Sequence, residues 1–128
     1  MDLSALKSTP LFADVPDEAL NKVATFASRE SVAEGKTIIR EGGYSNDFYV
    51  IEDGTVRVER EGEQVAELGP GDVFGEQGLL EKQARSASVV ATSAVRLIKI
   101  EHSELARMRQ AMPEVVEELR RKVEERSS

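Results

Sequence analysis

One stretch of the sequence differs from the rest: Phe74-Gly75-Glu76-Gln77-Gly78-Leu79-Leu80-Glu81-Lys82-Gln83-Ala84-Arg85-Ser86-Ala87-Ser88-Val89. Gly75 and Gly78 have no β-carbon, so the backbone there can approach a ligand closely. A short helical turn beginning at Glu76 would aim free N–H groups at an anion. Arg85 can give phosphate oxygens two parallel hydrogen bonds, and Ser86 adds a hydroxyl donor. These residue types predict a pocket for a sugar phosphate.

Glu76 narrows that prediction. A carboxylate beside a phosphate is repelled unless it accepts hydrogen bonds, and a ribose hydroxyl is a suitable donor. Glu76 and Arg85 together therefore favour a nucleotide over a bare phosphate.

The residues around this stretch carry a strand-and-turn pattern from Ser31 to Ile100. About eight short strands at a spacing of about 8–12 residues are typical of a sandwich or barrel. The predicted strands that can be bounded are 37–40, 47–51, 55–60, 64–68, 73–74, 87–92 and 94–100. The predicted turns are Glu41-Gly42-Gly43, Glu61-Gly62 and Gly69-Pro70-Gly71-Asp72, and Asp53-Gly54 is predicted to be a hairpin turn.

The two ends of the chain show helical spacing instead. Apolar residues predict a short helix before Thr9-Pro10, a helix from about Asp17 to Ser28 capped by Asp14 or Asp17, and two helices after Ile100. Pro113 suits the first turn of the last helix. One face of that helix carries Val115, Val116, Leu119 and Val123.

Composition excludes several classes of function. The chain has 128 residues, which is the size of one domain. Its 17 basic and 24 acidic residues give a net charge of −7, and this negative charge argues against nucleic-acid binding. It has no cysteine and one histidine, which argues against zinc, iron–sulfur and most histidine-rich metal sites. No apolar run is long enough to cross a bilayer, and Met1-Asp2-Leu3-Ser4 does not resemble a secretory signal. We expect a cytoplasmic protein.

The whole pattern resembles the cyclic nucleotide-binding domain family, which includes regulatory subunits of protein kinase A, cyclic nucleotide-gated channels and the sensor domain of the catabolite activator protein. Residues 74–89 fit the family's phosphate-binding cassette without a gap. Further landmarks that fit are Glu41-Gly42, Phe48-Tyr49-Val50, Asp53-Gly54 and Leu68-Gly69-Pro70-Gly71-Asp72.

The resemblance implies a fold and a division of the chain. The fold is mainly β with flanking helices: an eight-stranded β-roll (jelly-roll-like, a double-stranded β-helix) with N-terminal helices and two C-terminal helices. Residues 1–128 would form one domain, with N-terminal helices in 1–30, the β-roll in 31–100, the cassette in 74–89, and hinge and lid helices in 101–126.

The resemblance also implies roles for single residues. Glu76 should hold the ribose 2′-hydroxyl, and Arg85 and Ser86 the cyclic phosphate, with help from the cassette backbone. The assisting cassette positions are Gly75, Gln77, Gly78 and Ala87. The positions near the base are Val58, Ala66, Leu68 and Phe74. Arg126 matches a residue that caps the base in bacterial channel relatives, and Leu119 and Val123 would be apolar lid residues.

Two positions depart from the family pattern. Gln77 replaces a usually aliphatic residue and brings an amide near the sugar or base, and Ala84 replaces a frequent proline. Neither change removes a charge that would contact the ligand.

We therefore predict a sensor module that binds cyclic AMP in preference to cyclic GMP, catalyses nothing, needs no cofactor or metal, and signals through movement of its C-terminal helices. We expect a monomer that binds neither nucleic acid nor membrane, with an unknown effector. The alternatives are a degenerate barrel that binds a protein partner, a cupin-type enzyme, and a transcription regulator. The chain has one histidine, which argues against the cupin-type enzyme, because cupin metal sites use several. That histidine, His102, is expected at the surface.

Overall fold

The computed structural model describes residues 4–43, 47–75 and 87–127, the last five by their backbone. The helical segments are α1 (Ser4–Ser8), a 3₁₀ turn (Pro10–Phe12), α2 (Asp17–Thr25), α3 (His102–Ala111) and α4 (Pro113–Ser127). The described strands are β1 (Ser28–Val32), β2 (Thr37–Ile39), β3 (Phe48–Asp53), β4 (Val56–Arg60), β5 (Glu63–Leu68), β6 (Val73–Phe74), β7 (Ser88–Ala91) and β8 (Val95–Ile100). The fold is mainly β with helices at both ends, as predicted.

Two four-stranded antiparallel sheets form the β-roll. One sheet has the order β1-β8-β3-β6, and the other has the order β2-β7-β4-β5. Strands that follow each other in the sequence mostly lie in different sheets, so the chain crosses repeatedly from one sheet to the other. The connection from β6 to β7 is one of these crossings, and it carries the predicted cassette.

Alternating side chains of the first sheet pack into two separate hydrophobic cores. Along β3, Tyr49 and Ile51 point between the sheets, where they pack with Val56 and Leu97. Phe48 and Val50 of the same strand point the other way and pack against the helices. All four residues from Phe48 to Ile51 are buried, as expected for a strand that is covered on both faces.

The Glu61-Gly62 turn has the predicted form. The two residues join β4 to β5 as a two-residue hairpin loop, with φ of 54° at Glu61 and 82° at Gly62. Positive φ at both central positions defines the type I′ turn, whose twist matches that of paired strands. Beyond the turn, β5 carries one extra residue between its pairing partners, which is Val65.

The prediction of a hairpin at Asp53-Gly54 is wrong. β3 pairs with β6 and β8, whereas β4 pairs with β5 and β7, so Gly54 lies on a corner between the sheets. The β7–β8 corner packs against it: Thr55 donates its backbone N–H to Ser93 Oγ at 3.0 Å. A β-carbon on Gly54 would lie 2.3 Å from the carbonyl oxygen of Ala94, so the glycine is needed for corner packing.

The N-terminal helices depart from the prediction at their ends. α2 ends at Thr25 and β1 begins at Ser28, because the following residues pair with β8 from Lys99 to Val95. The N-cap of α2 is Pro16, and no side chain caps it. Asp17 is instead the first helical residue, where its charge suits the positive end of the helix dipole.

α4 packs against the N-terminal segment. Val116 and Leu119 are buried in the helix-side core with Leu11 and Phe12 of the 3₁₀ turn. Lys122 Nζ lies 3.2 Å from Asp14 Oδ2 and 3.5 Å from the carbonyl oxygen of Leu11. Asp14 therefore contacts the last helix and does not cap α2. As predicted, α4 begins at Pro113.

Candidate functional site

The predicted cassette connects the two sheets. Phe74 is the last residue of β6 in the first sheet, and Ser88 is the first residue of β7 in the second. Gly75 and Ala87 are the described cassette residues next to them, and both are half-buried. The predicted contacts Glu76, Gln77, Gly78, Arg85 and Ser86 lie outside the described residues.

Gly75 has a backbone conformation that favours glycine. Its φ is 74°, in the left-handed region that side chains disfavour. The residue directly follows buried Phe74, the last residue of β6. This conformation is compatible with the close backbone approach that the sequence predicts at Gly75.

Three of the four residues predicted near the base converge on the core between the sheets. Phe74 is buried in that core, and Val58 and Leu68 pack against it while remaining half-buried. Ala66 lies opposite Val58 on the neighbouring strand and is exposed. The strand register therefore places Ala66 at the open margin of the apolar surface that the other three form.

Tyr49 belongs to this surface and was not predicted as a site residue. Its ring stacks on that of Phe74, with ring centroids 4.8 Å apart and an angle of 15° between the planes. The Nζ atom of Lys99 lies 5.9 Å from the Tyr49 ring centroid. The sequence signal was limited to the apolar run Phe48-Tyr49-Val50, which predicts burial but no partner.

Of the predicted lid residues, Leu119 is not brought to this surface in the described conformation. Leu119 packs in the helix-side core, whereas Phe74 lies in the core between the sheets. The side chains of Val123 and Arg126 lie outside the described residues, although the helix backbone continues through both positions.

His102 is exposed, as predicted, and it begins α3. Its backbone N–H donates to Asp47 Oδ1 at 2.9 Å, so a carboxylate next to β3 caps the helix start. Across residues 4–43, 47–75 and 87–127, no group of three or more acidic or histidine side chains is arranged to hold a metal ion. None of the helices in the same ranges is long and apolar enough to span a membrane.

The fold is a β-roll flanked by helices. The connection between its two sheets carries the glycines, the glutamate and the arginine of the predicted anion site. Residues 29–112 match the family model described as "Cyclic nucleotide-binding domain". The chain therefore belongs to the cyclic nucleotide-binding domain family.

Individual relatives agree with this membership. The chain is 36% identical over 95 residues to a cGMP-dependent protein kinase, isozyme 1, of Drosophila melanogaster, covering 69% of this chain and 12% of that protein. It is 35% identical over 94 residues to a cAMP-dependent protein kinase regulatory subunit of Yarrowia lipolytica, covering 72% of this chain and 25% of that protein. The chain thus spans a quarter or less of these two relatives.

A solved structure is similar over nearly the full length. The N-terminal domain of a transcriptional regulator from Streptomyces coelicolor A3(2) superposes with a TM-score of 0.84 at 30% identity. The match covers 96% of this chain and 91% of that one. The helices at both ends are therefore shared along with the β-roll.

Proposed function

We propose that this chain binds a cyclic nucleotide monophosphate and acts as a non-catalytic sensor module. The observation that supports this most strongly is the family match over residues 29–112, which contains the complete cassette with Glu76 and Arg85. The two kinase relatives are named for dependence on cGMP and on cAMP, which supports a ligand of this class.

Each half of the ligand has proposed contacts. Arg85 and Ser86 hold the cyclic phosphate, Glu76 accepts a hydrogen bond from the ribose 2′-hydroxyl, and backbone groups of the cassette assist. The base lies over the apolar surface that includes Val58 and Leu68. The positive φ of Gly75 supports a chain that turns toward the ligand as it leaves Phe74.

We propose that cyclic AMP is preferred over cyclic GMP. The four residues predicted near the base are all apolar: Val58, Ala66, Leu68 and Phe74. Guanine carries a carbonyl oxygen at C6 and an amino group at C2, whereas adenine carries only an amino group at C6. Burying polar groups without hydrogen-bond partners is unfavourable. An apolar base surface therefore favours adenine.

Signalling would proceed through α4 as a shift between two conformations. Val116 and Leu119 pack against the N-terminal segment in the described conformation, and ligand binding would move α4 toward the pocket. We expect a monomer, since Val116 and Leu119 are already buried within the chain. We further expect action in the cytoplasm, no cofactor, and an effector that the sequence does not identify.

Thermal unfolding of the chain with and without nucleotide tests the proposal. The protein is first unfolded and refolded to remove any ligand retained from purification. A ligand present at a hundred times its Kd stabilises the folded state by about 2.7 kcal/mol, which raises the Tm of a domain this size by about 10 °C. We expect that rise with cyclic AMP and a smaller one with 5′-AMP. An unchanged Tm with millimolar cyclic AMP and cyclic GMP would contradict the proposal and favour the protein-interaction alternative.

A further inference from the structure

A groove of about 410 Å³ lies between α2 and the junction of α3 with α4. Cavities of about 300–1,000 Å³ are typical of small-molecule sites. The lining residues lie in 16–22 and 111–115, so the groove shares none with the cassette or with the positions predicted near the base. The groove is therefore separate from the proposed nucleotide site.

The inner surface of the groove is apolar. Met112, at the C-terminal end of α3, is 8% exposed and packs in the helix-side core. Ala19 of α2 and Val115 of α4 are half-buried and pack against the same core. A methionine side chain is flexible and polarizable, so it can adapt to apolar ligands of different shape. The inner surface thus suits an apolar ligand.

Each wall of the groove carries a carboxylate at its exposed rim. Glu18 lies in the first turn of α2, and Glu114 lies in the first turn of α4. Both are exposed, and neither side chain makes an ion pair or a hydrogen bond within the part of the chain that the structure describes. Lys22, one turn beyond Glu18, also lines the groove and offsets one of the two charges. The rim keeps a net negative charge.

The position of the two carboxylates favours a cation between them. The helix dipole alone accounts for an acidic residue in either first turn. The packing of the helices, however, brings both first turns to the same groove, where like charges repel each other. A cation bound between Glu18 and Glu114 would replace this repulsion with attraction to both.

We propose that this groove binds a small molecule that has an apolar body and a protonated amine. The apolar body would lie on Ala19, Met112 and Val115, and the amine would lie between Glu18 and Glu114. Such a ligand contacts α2 and the first turn of α4 at once, so it would favour the packing of α4 that the structure shows. This site is independent of the proposed cyclic nucleotide function.

Methyl NMR spectra of the full chain, labelled at its three methionines, test the site. Met112 lines the groove, whereas Met108 is fully buried in the helix-side core and serves as the internal reference. The probes are 2-phenylethylamine and 3-phenylpropanoate, which share a phenyl group on a short chain and carry opposite charges. We expect the amine at millimolar concentration to move the Met112 signal saturably and to leave the Met108 signal in place. Its Kd should be at least about 5-fold lower than that of the carboxylate.

Charge variants at the rim test the role of the two carboxylates. Glu18→Gln and Glu114→Gln should each weaken amine binding by about 2- to 5-fold, as expected for one exposed ion pair. Lys22→Gln should strengthen it by a similar factor, because it removes a competing cation. Glu117→Gln is the matched control: this exposed glutamate of α4 does not line the groove, and its loss should leave the Kd unchanged.

Several results would overturn the inference: an unmoved Met112 signal with the amine at tens of millimolar, equal Kd values for the two probes, or an effect of Glu117→Gln as large as that of Glu18→Gln. A Met112 signal that moves with protein concentration before any probe is added would show that a second copy of the chain fills the groove, which also contradicts a small-molecule site. The two probes are compared on the parent chain, so a variant that does not fold leaves that test in place. Neither probe is a nucleotide, so failure here is distinguishable from failure of the proposed function.

Discussion

The rings of Tyr49 and Phe74 face each other across the β3–β6 pair and stack with their centroids 4.8 Å apart. Phe74 directly precedes Gly75, the first glycine of the cassette. The start of the cassette is therefore attached to a buried aromatic pair in the core between the sheets. Any movement of the cassette relative to the β-roll would begin after this fixed point.

The aromatic pair predicts a graded loss of stability. Phe74→Ala should lower the free energy of unfolding by about 3–5 kcal/mol, because it leaves a cavity in a buried core. Phe74→Leu keeps most of the apolar burial and loses the stacking, which is worth about 0.5–1.5 kcal/mol beyond the buried area. Urea unfolding of both variants measures the two losses. A Phe74→Leu variant as stable as the parent would show that stacking contributes nothing, and equal losses in the two variants would contradict the graded prediction.

Two glycines with positive φ should respond differently to the same substitution. Gly54 has a φ of 90° and a β-carbon there would lie 2.3 Å from the Ala94 carbonyl oxygen, whereas Gly62 has a φ of 82° and open space around it. Gly62→Ala should cost only the strain of a left-handed residue, about 1–2 kcal/mol. Gly54→Ala adds overpacking of about 1–3 kcal/mol to that strain.

Denaturant unfolding of the two glycine variants side by side gives the comparison, with Gly62→Ala as the control for backbone strain. A Gly54→Ala variant as stable as Gly62→Ala would contradict the packing of the two corners described here.

Arg85 should dominate affinity for the ligand. Loss of two charge-assisted hydrogen bonds predicts that Arg85→Ala weakens cyclic AMP binding at least about 100-fold. Glu76→Ala should weaken it less, because the change also relieves repulsion between the carboxylate and the phosphate. Arg96→Ala, which removes an exposed arginine of β8, serves as the control. Parent-like binding by Arg85→Ala in a cyclic AMP titration would refute its phosphate role.

Ligand binding should change the hydrogen–deuterium exchange of α4 and leave that of the central strands unchanged. In the described conformation Lys122 of α4 contacts Asp14 and the Leu11 carbonyl oxygen. If cyclic AMP moves α4 toward the pocket, hydrogen–deuterium exchange of peptides from α4 and the 3₁₀ turn should change on binding. Peptides from β8 provide the internal reference. Identical exchange in α4 with and without saturating ligand would remove this helix from the signalling model.

The fold was largely predictable because the local sequence signals for its strands and helices are strong. The prediction failed where strand pairing depends on residues far apart in the sequence. Glu61-Gly62 and Asp53-Gly54 carry the same kind of turn signal, yet one closes a hairpin and the other turns a corner between sheets. Residues far along the chain decide the difference, since Gly54 packs against Ala94. The end of α2 was missed for the same reason: pairing with β8 starts β1 at Ser28.

The candidate site was predictable where a motif lies within one stretch of sequence. The cassette residues stay predictions, but Val58, Leu68 and Phe74 do gather on one apolar core. The contacts of Glu41 and Tyr49 could not be predicted, because they join residues far apart in the sequence. Glu41 and Ser88 are 47 positions apart in the chain, and no local pattern indicates that the sheet brings them together.

Calorimetric titration of the refolded, ligand-free protein measures directly whether this chain binds a cyclic nucleotide. Cyclic AMP, cyclic GMP and 5′-AMP would be titrated under the same conditions. We predict saturable binding at a ratio of one per chain, tightest for cyclic AMP and weakest for 5′-AMP. If neither cyclic AMP nor cyclic GMP gives measurable binding heat with a protein shown to be folded, the proposed function is contradicted.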